Sequence, residues 1–125
     1  MKIPKICEYC GGKVILTDAV VVCSKNAGKV YLCTNCNAYV FAHKDSNRPM
    51  GTLANTVLRL KRQEAHRIFD AAWKMKNFTR SEAYEQLAEC MDIPKHRTHI
   101  AFFNVEQCDK VIRICQEWEQ KKEAA

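Results

Sequence analysis

The chain has no apolar run approaching the roughly 20 residues that a membrane-crossing helix needs. Its start, Met1-Lys-Ile-Pro-Lys-Ile-Cys7, has no apolar stretch of the kind a secretory signal requires. Low-complexity segments are missing, and so are internal repeats apart from one short cysteine pattern. These absences argue against a membrane partner, and against reading the eight cysteines as the disulfide framework of a secreted protein. The expectation is a reducing cytoplasm. At 125 residues the chain is one domain, or a small module joined to another. Residues 1–50 alone bury little apolar surface, and a metal is the usual remedy for so small a core.

The repeated pattern is Cys7-Glu-Tyr-Cys10 and Cys33-Thr-Asn-Cys36. Two thiolates three residues apart on a tight turn face one tetrahedral ion, so two such turns supply four sulfurs and close a structural Zn2+ site. Gly11 and Asn37, which follow the second cysteine of each pair, tolerate the left-handed backbone such a turn often needs. Between the knuckles, Val14-Ile15-Leu16, Val20-Val21-Val22 and Val30-Tyr31-Leu32 are β-prone, with a turn signal at Asn26-Ala27-Gly28. Tyr39-Val-Phe-Ala42 reads as a strand leaving the second knuckle. This is the layout of a zinc ribbon; the competing readings are a redox dithiol or a disulfide pair.

Past the polar loop from Lys44 to Pro49 the pattern turns helical. A long helix is expected over 53–76 with Thr52 as N-cap. Thr79-Arg-Ser-Glu82 and Asn104-Val-Glu-Gln107 are capping-box patterns, opening helices over 80–91 and 105–121. Thr98–Phe103 is short and apolar, a strand or an extended segment. The fold class is therefore α+β: a four-cysteine ribbon over 1–50, then a helical module over 51–125, packed as one small domain.

The formal charge is +6, and four thiolates around one Zn2+ lower it to about +4. Residues 56–80 hold seven bases against two acids, whereas 81–125 hold nine acids against six bases. A basic middle suggests contact with polyanions. On the long helix, Asn55, Arg59, Arg62, His66 and Asp70 fall within an arc of about 80°. Val57, Leu58, Ala65, Ile68, Phe69 and Ala72 form a separate apolar arc.

Three readings of the polar stripe stand open. It is a hydrogen-bonded network that docks the helix, with Asp70 fixing the His66 tautomer. Or it is a phosphate-binding surface built on Arg59 and Arg62. Or it is catalytic, with His66 as acid or base. No nucleophile or second metal-ligand set lies nearby in sequence, which counts against an enzyme.

Cys108 and Cys115 lie seven apart on one helix and read as small buried hydrophobes, with Cys90 placed similarly. Cys23 as a substitute ligand, and a second site from Cys90, Cys108 and His96 or His99, are weaker alternatives because none has knuckle spacing. His43 reads as a hydrogen-bonding residue, since four sulfurs already complete a zinc shell. Tyr9, Tyr31, Tyr39 and Phe41 sit near Lys13, Lys29 and Lys44, and aromatic faces beside lysines are how many single-strand binders hold nucleotides. The alternative is that Tyr31 and Phe41 fill the ribbon's small core.

The knuckles, His43 followed by Pro49-Met-Gly-Thr-Leu-Ala54, and Arg59-x-x-Arg62-x-x-x-His66-x-x-x-Asp70 resemble a bacterial and phage zinc-finger-containing domain family with no assigned function. Ala83-Tyr84 and His99-Ile100 ahead of Cys108 extend the resemblance over nearly the whole chain. It implies a ribbon plus helices and carriage by mobile elements, and it supplies no activity. The residues themselves point to a cytoplasmic nucleic-acid-binding accessory protein. Its candidate contacts are Arg59, Arg62, Lys29, Lys44 and Tyr9. The alternatives are an adaptor whose ribbon docks a host enzyme or defence complex, and a phosphodiester-acting enzyme using His66 and Asp70. No small-molecule substrate is suggested.

Overall fold

The computed structural model describes residues 3–23 and 28–123. These form two compact units, one through Arg59 and one from Leu60. In the first, β1 (Val14–Asp18), β2 (Lys29–Cys33) and β3 (Tyr39–Phe41) make an antiparallel sheet with β2 in the middle. Val14 lies opposite Cys33, and Tyr31 lies opposite Leu16 on one side and Val40 on the other. Since strand side chains alternate, Val14, Tyr31, Cys33 and Val40 share one face. Ile15, Val30, Leu32, Tyr39 and Phe41 share the other. The first face closes over a core of Cys7, Val14, Tyr31, Cys33, Ala38, Ala42 and Leu53. The Tyr31 hydroxyl donates to the carbonyl of Asn47, which tethers the loop after β3.

Val20-Val21-Val22 is not a strand. Asp18 is the last residue of β1 with a partner, Lys29. Ala19 then donates its N–H to Gly28, and Val22 and Cys23 fold back on the Ala19 carbonyl at 3.1 and 2.9 Å. The result is one 3-10 turn, Ala19–Val21, which leaves Val20 and Val21 exposed. β-branched residues make a strand only where a neighbouring strand meets them. Asn26 and Ala27 of the expected turn lie outside the described residues; Gly28 takes φ 89°.

Helix α1 (Thr56–Met75) begins three residues later than its sequence suggests. Ala54 exchanges backbone hydrogen bonds with Tyr39 at 2.9 and 3.2 Å, and Leu53 lies in the ribbon core. Both are thereby held extended, and the cap passes from Thr52 to Asn55. The Asn55 Oδ1 accepts the Leu58 N–H at 2.9 Å, satisfying a donor that a helix start leaves open. Val57, at the edge of the apolar arc, is exposed, whereas Leu58, Ala65, Phe69 and Ala72 are buried.

The second unit packs α1 with α2 (Arg80–Met91) and α3 (Val105–Glu123) around Phe69, Leu87, Ile100, Phe103, Val111 and Trp118. Both expected capping boxes form. Thr79 and Glu82 bond reciprocally at 3.1 and 2.9 Å, and Asn104 and Gln107 at 3.0 and 2.8 Å. Asn77 and Asp92 end their helices in the left-handed region, and the next residue reaches back five positions in each case. The segment expected as strand or extended chain is instead a 3-10 turn, Ile100–Phe102, that buries Ile100. Among the described residues no helix is long and apolar enough to cross a membrane.

Replacing Asn55 with Ala should cost about 1 kcal/mol in urea unfolding, the usual worth of a cap, and Thr52→Ala markedly less. Equal losses at the two positions would return the cap to Thr52.

Candidate metal centre

The four sulfurs of Cys7, Cys10, Cys33 and Cys36 all lie within 4.8 Å of one another. Cys7 and Cys36 approach to 3.5 Å, and Cys10 and Cys33 to 3.4 Å. A tetrahedral zinc ion with Zn–S arms of about 2.3 Å holds its sulfurs about 3.8 Å apart, so the donor set fits Zn2+ in number, type and spacing. A disulfide needs sulfurs about 2.05 Å apart, and none of the described cysteines is bonded in that way. Cys7 and Cys33 are buried, at 2% and 0% exposure, whereas Cys10 and Cys36 are exposed. The centre is thus rooted in the ribbon core and open on one side.

Backbone geometry aims N–H groups at the sulfurs. Tyr9 donates to Cys7, Gly12 to Cys10 and Asn35 to Cys33, each at 3.4 Å, and Cys36 donates to Cys33 at 3.5 Å. These bonds favour the thiolate, the form that binds metal. Gly11 and Asn37 take φ 77° and 65°, as their place after each knuckle suggests. Gly12 is a site residue that sequence reasoning passed over. A Cβ there would stand 2.8 Å from the Asn35 Cβ and 3.0 Å from the Cys33 sulfur, so only glycine lets the knuckles close. The signal was available in the Gly11-Gly12 pair directly after Cys10.

The Asn35 side chain, helped by the Gly12 N–H and Cys33, pulls the Cys10 thiol down to about 6. At Cys36 the Ala38 N–H pulls downward, but desolvation and the neighbouring sulfurs prevail and push that thiol up to about 12. Crowded sulfurs cannot all be anionic without a cation among them. A dication relieves the repulsion and displaces the remaining protons.

The other candidates fall into place around this centre. His43 is exposed and its backbone closes the loop with Arg48 at 2.7 Å. Cys23 is half-buried and stands outside the sulfur group. No second group of three metal-binding side chains forms among the described residues, so Cys90, Cys108, His96 and His99 make no second site. Cys108 and Cys115 are buried, and burial pushes both thiols up, Cys115 to about 12. Cys90 is exposed, contrary to expectation, because it falls at the edge of the buried arc that Ala83, Leu87, Ala88 and Met91 form on α2.

The polar stripe is committed to intramolecular partners. Arg59 lies 3.8 Å over the Tyr39 ring and donates to the Ala54 carbonyl and the Thr56 hydroxyl at 2.8 and 3.0 Å. Arg62 is 9% exposed and its Nε donates to the Phe103 carbonyl at 2.9 Å. Its direction on the helix falls beside the apolar arc, which carries it inward and away from any phosphate. Asp70 accepts from the Trp73 indole at 3.1 Å and acts on the His66 charge. Burial lowers the His66 pKa, with Asp70 opposing and Arg80 reinforcing the shift. Tyr9 is partly exposed with its hydroxyl on the Leu53 carbonyl at 3.3 Å, and Lys29 pairs with Asp18 at 3.0 Å.

A short sheet carrying two cysteine knuckles that meet around one tetrahedral position defines a zinc-ribbon protein. Residues 3–118 match a family described as a zinc-finger-containing domain, and the chain belongs to that family. Neither the curated proteins nor the solved structures give a match.

Elemental analysis should find about one zinc per chain, and Cys33→Ser should lose it together with the sheet signal. Cys36 must surrender a proton to bind, so zinc affinity should fall at least about tenfold for each pH unit below neutrality. For His66 the lowered folded-state pKa means that the unfolded chain binds protons first. Stability should be full above pH 6.5, the ordinary histidine value, and decline as pH falls from there to the folded pKa. An NMR titration of His66 with a midpoint at or above 6.5 would contradict this.

Proposed function

We propose that the protein is a nucleic-acid-binding accessory factor and that the ribbon makes the contact, with the rings of its Tyr39–Phe41 face and the lysines at the Lys29 end of the sheet. The observation that carries this reading is the placement of Tyr39 and Phe41. Both are half-exposed on one face of β3, edge to face with centroids 5.7 Å apart, and Arg59 caps the Tyr39 ring. Stacked bases add readily to such a pair, and among the described residues Arg59 spends two of its five N–H donors. Lys29 and Lys44 adjoin at one end of the sheet, where a Cβ on Gly28 would meet the Lys44 stem at 3.6 Å. The Lys29–Asp18 pair is exposed on both sides, and such a pair yields easily to a phosphate. Tyr9 presents its ring beside the first knuckle.

The adaptor reading has an observation of its own. Ile3, Pro4, Ile6 and Leu53 line an open cleft beside the first knuckle, and Ile6 is 70% exposed. Apolar side chains left so open suit a protein partner. The catalytic reading of the stripe has no comparable support, because Arg62 is buried on the Phe103 carbonyl and Asp70 holds the Trp73 indole.

Fluorescence anisotropy with labelled single-stranded and duplex 20-mers, at 50 and 200 mM salt, separates the readings. Binding should weaken steeply with salt, and the joint change Lys29→Ala, Lys44→Ala should flatten the log–log slope by about 0.7 per lost contact on single strands. Tyr39→Phe should keep affinity. Absence of salt-dependent binding to either form would leave the adaptor reading in its place.

A further inference from the structure

The helical unit carries a second place where cations and rings adjoin, remote in sequence from the zinc ligands. At the start of α2, the Arg80 guanidinium carbon stands 5.6 Å from the centroid of the Tyr84 ring. Tyr84 lies 6.5 Å from the His99 ring, and His99 lies 6.2 Å from Phe102. Arg80, Tyr84, His99 and Phe102 therefore form one continuous row from α2 to the 3-10 turn before α3. Arg80 and His99 are exposed and the other two half-exposed, so each ring offers surface to a ligand. The row has a firm backing: Tyr84 packs at 4.9 Å on Phe69, which is wholly buried. Among the described residues Arg80 joins no ion pair, whereas nearby Lys95 is neutralised by Glu85 at 3.1 Å. The same chemistry continues on α1, where Lys74 lies 5.7 Å over Trp73 and Trp73 bonds Asp70.

We propose that this row is a platform for single-stranded nucleic acid, with bases stacked on Tyr84, His99 and Phe102 and a backbone phosphate held by Arg80. A row of rings needs an unpaired strand, because a duplex keeps its base faces stacked inside. An acidic peptide would use Arg80 and gain little from three rings in line. A guanidinium already resting on an aromatic face is pre-oriented, so less freedom is lost when it meets a phosphate. The platform rests on the nucleic-acid reading of the protein and adds to it the strand form and a second contact area.

The test uses the full chain with labelled oligo-dT and with the same strand annealed to oligo-dA. The single strand should bind at least about fivefold more tightly than the duplex. Arg80→Glu should weaken single-strand binding about tenfold and His99→Ala at least threefold. Arg80→Lys should keep most of the affinity, since charge remains. Arg113→Glu, the same charge change on exposed α3, should leave binding within twofold. The altered residues are exposed, so melting temperatures should stay together and a folding failure would be seen directly. No binding of either ligand by the wild type would remove both the platform and the reading beneath it. Binding unchanged by Arg80→Glu and His99→Ala would overturn the platform and leave that reading standing. Equal affinity for duplex, or an equal loss in Arg113→Glu, would also overturn the platform.

Discussion

Four sulfurs within 4.8 Å of one another, two of them inside the ribbon core, tie the first unit's chemistry to its packing. Cys7 and Cys33 occupy places where a larger fold would put leucine or valine, beside Val14, Tyr31 and Leu53. Their partners Cys10 and Cys36 sit at the surface, so the ion they hold is half anchored and half open. A three-stranded sheet whose longest strands have five residues has little apolar area to exclude from water. The metal bonds supply cohesion that burial alone does not, and Gly12 is the backbone allowance that lets the two knuckles meet.

The helical unit is held by ordinary means. Phe69 lies at its centre, touching Tyr84 at 4.9 Å and Trp118 at 6.3 Å, and Phe78 meets Trp118 edge on at 5.9 Å. Capping boxes fix where α2 and α3 begin, and left-handed Asn77 and Asp92 fix where α1 and α2 end. Each such feature contributes about 1 kcal/mol, modest against the core but decisive for register. Cys108 and Cys115 belong to this core, and their raised pKa values leave them as packing residues with little nucleophilic character.

Where the arginines point governs the functional reading. Arg62 lies inside the helical unit on the Phe103 carbonyl, so the helix stripe is chiefly structural. Arg59 stacks on Tyr39, and its cation adjoins the ribbon's aromatic face. Charge density along the sequence therefore overstated how much cationic surface the helix stripe presents, since Arg62 is turned inward. Arg80, which no sequence pattern singled out beyond its capping box, stands beside a ring without an ion-pair partner among the described residues.

The cysteine spacing by itself determined the metal centre, because two-residue gaps place paired sulfurs on a turn whatever surrounds them. The capping boxes likewise located α2 and α3 from four-residue patterns, since both partners of each bond are local. Tertiary structure decided the rest wherever a residue's role depended on something far along the chain. Among the described residues Val20–Val22 have no facing strand and become a turn, though their composition is that of a strand. Ala54 is claimed by Tyr39, which moves the start of α1 to Asn55. Arg62 lies beside the apolar arc and is drawn inward to a carbonyl 41 residues away. The row from Arg80 to Phe102 assembles residues from α2 and a later turn. Local bonds are written in local sequence, whereas a side chain's exposure is settled by which distant segment reaches it first.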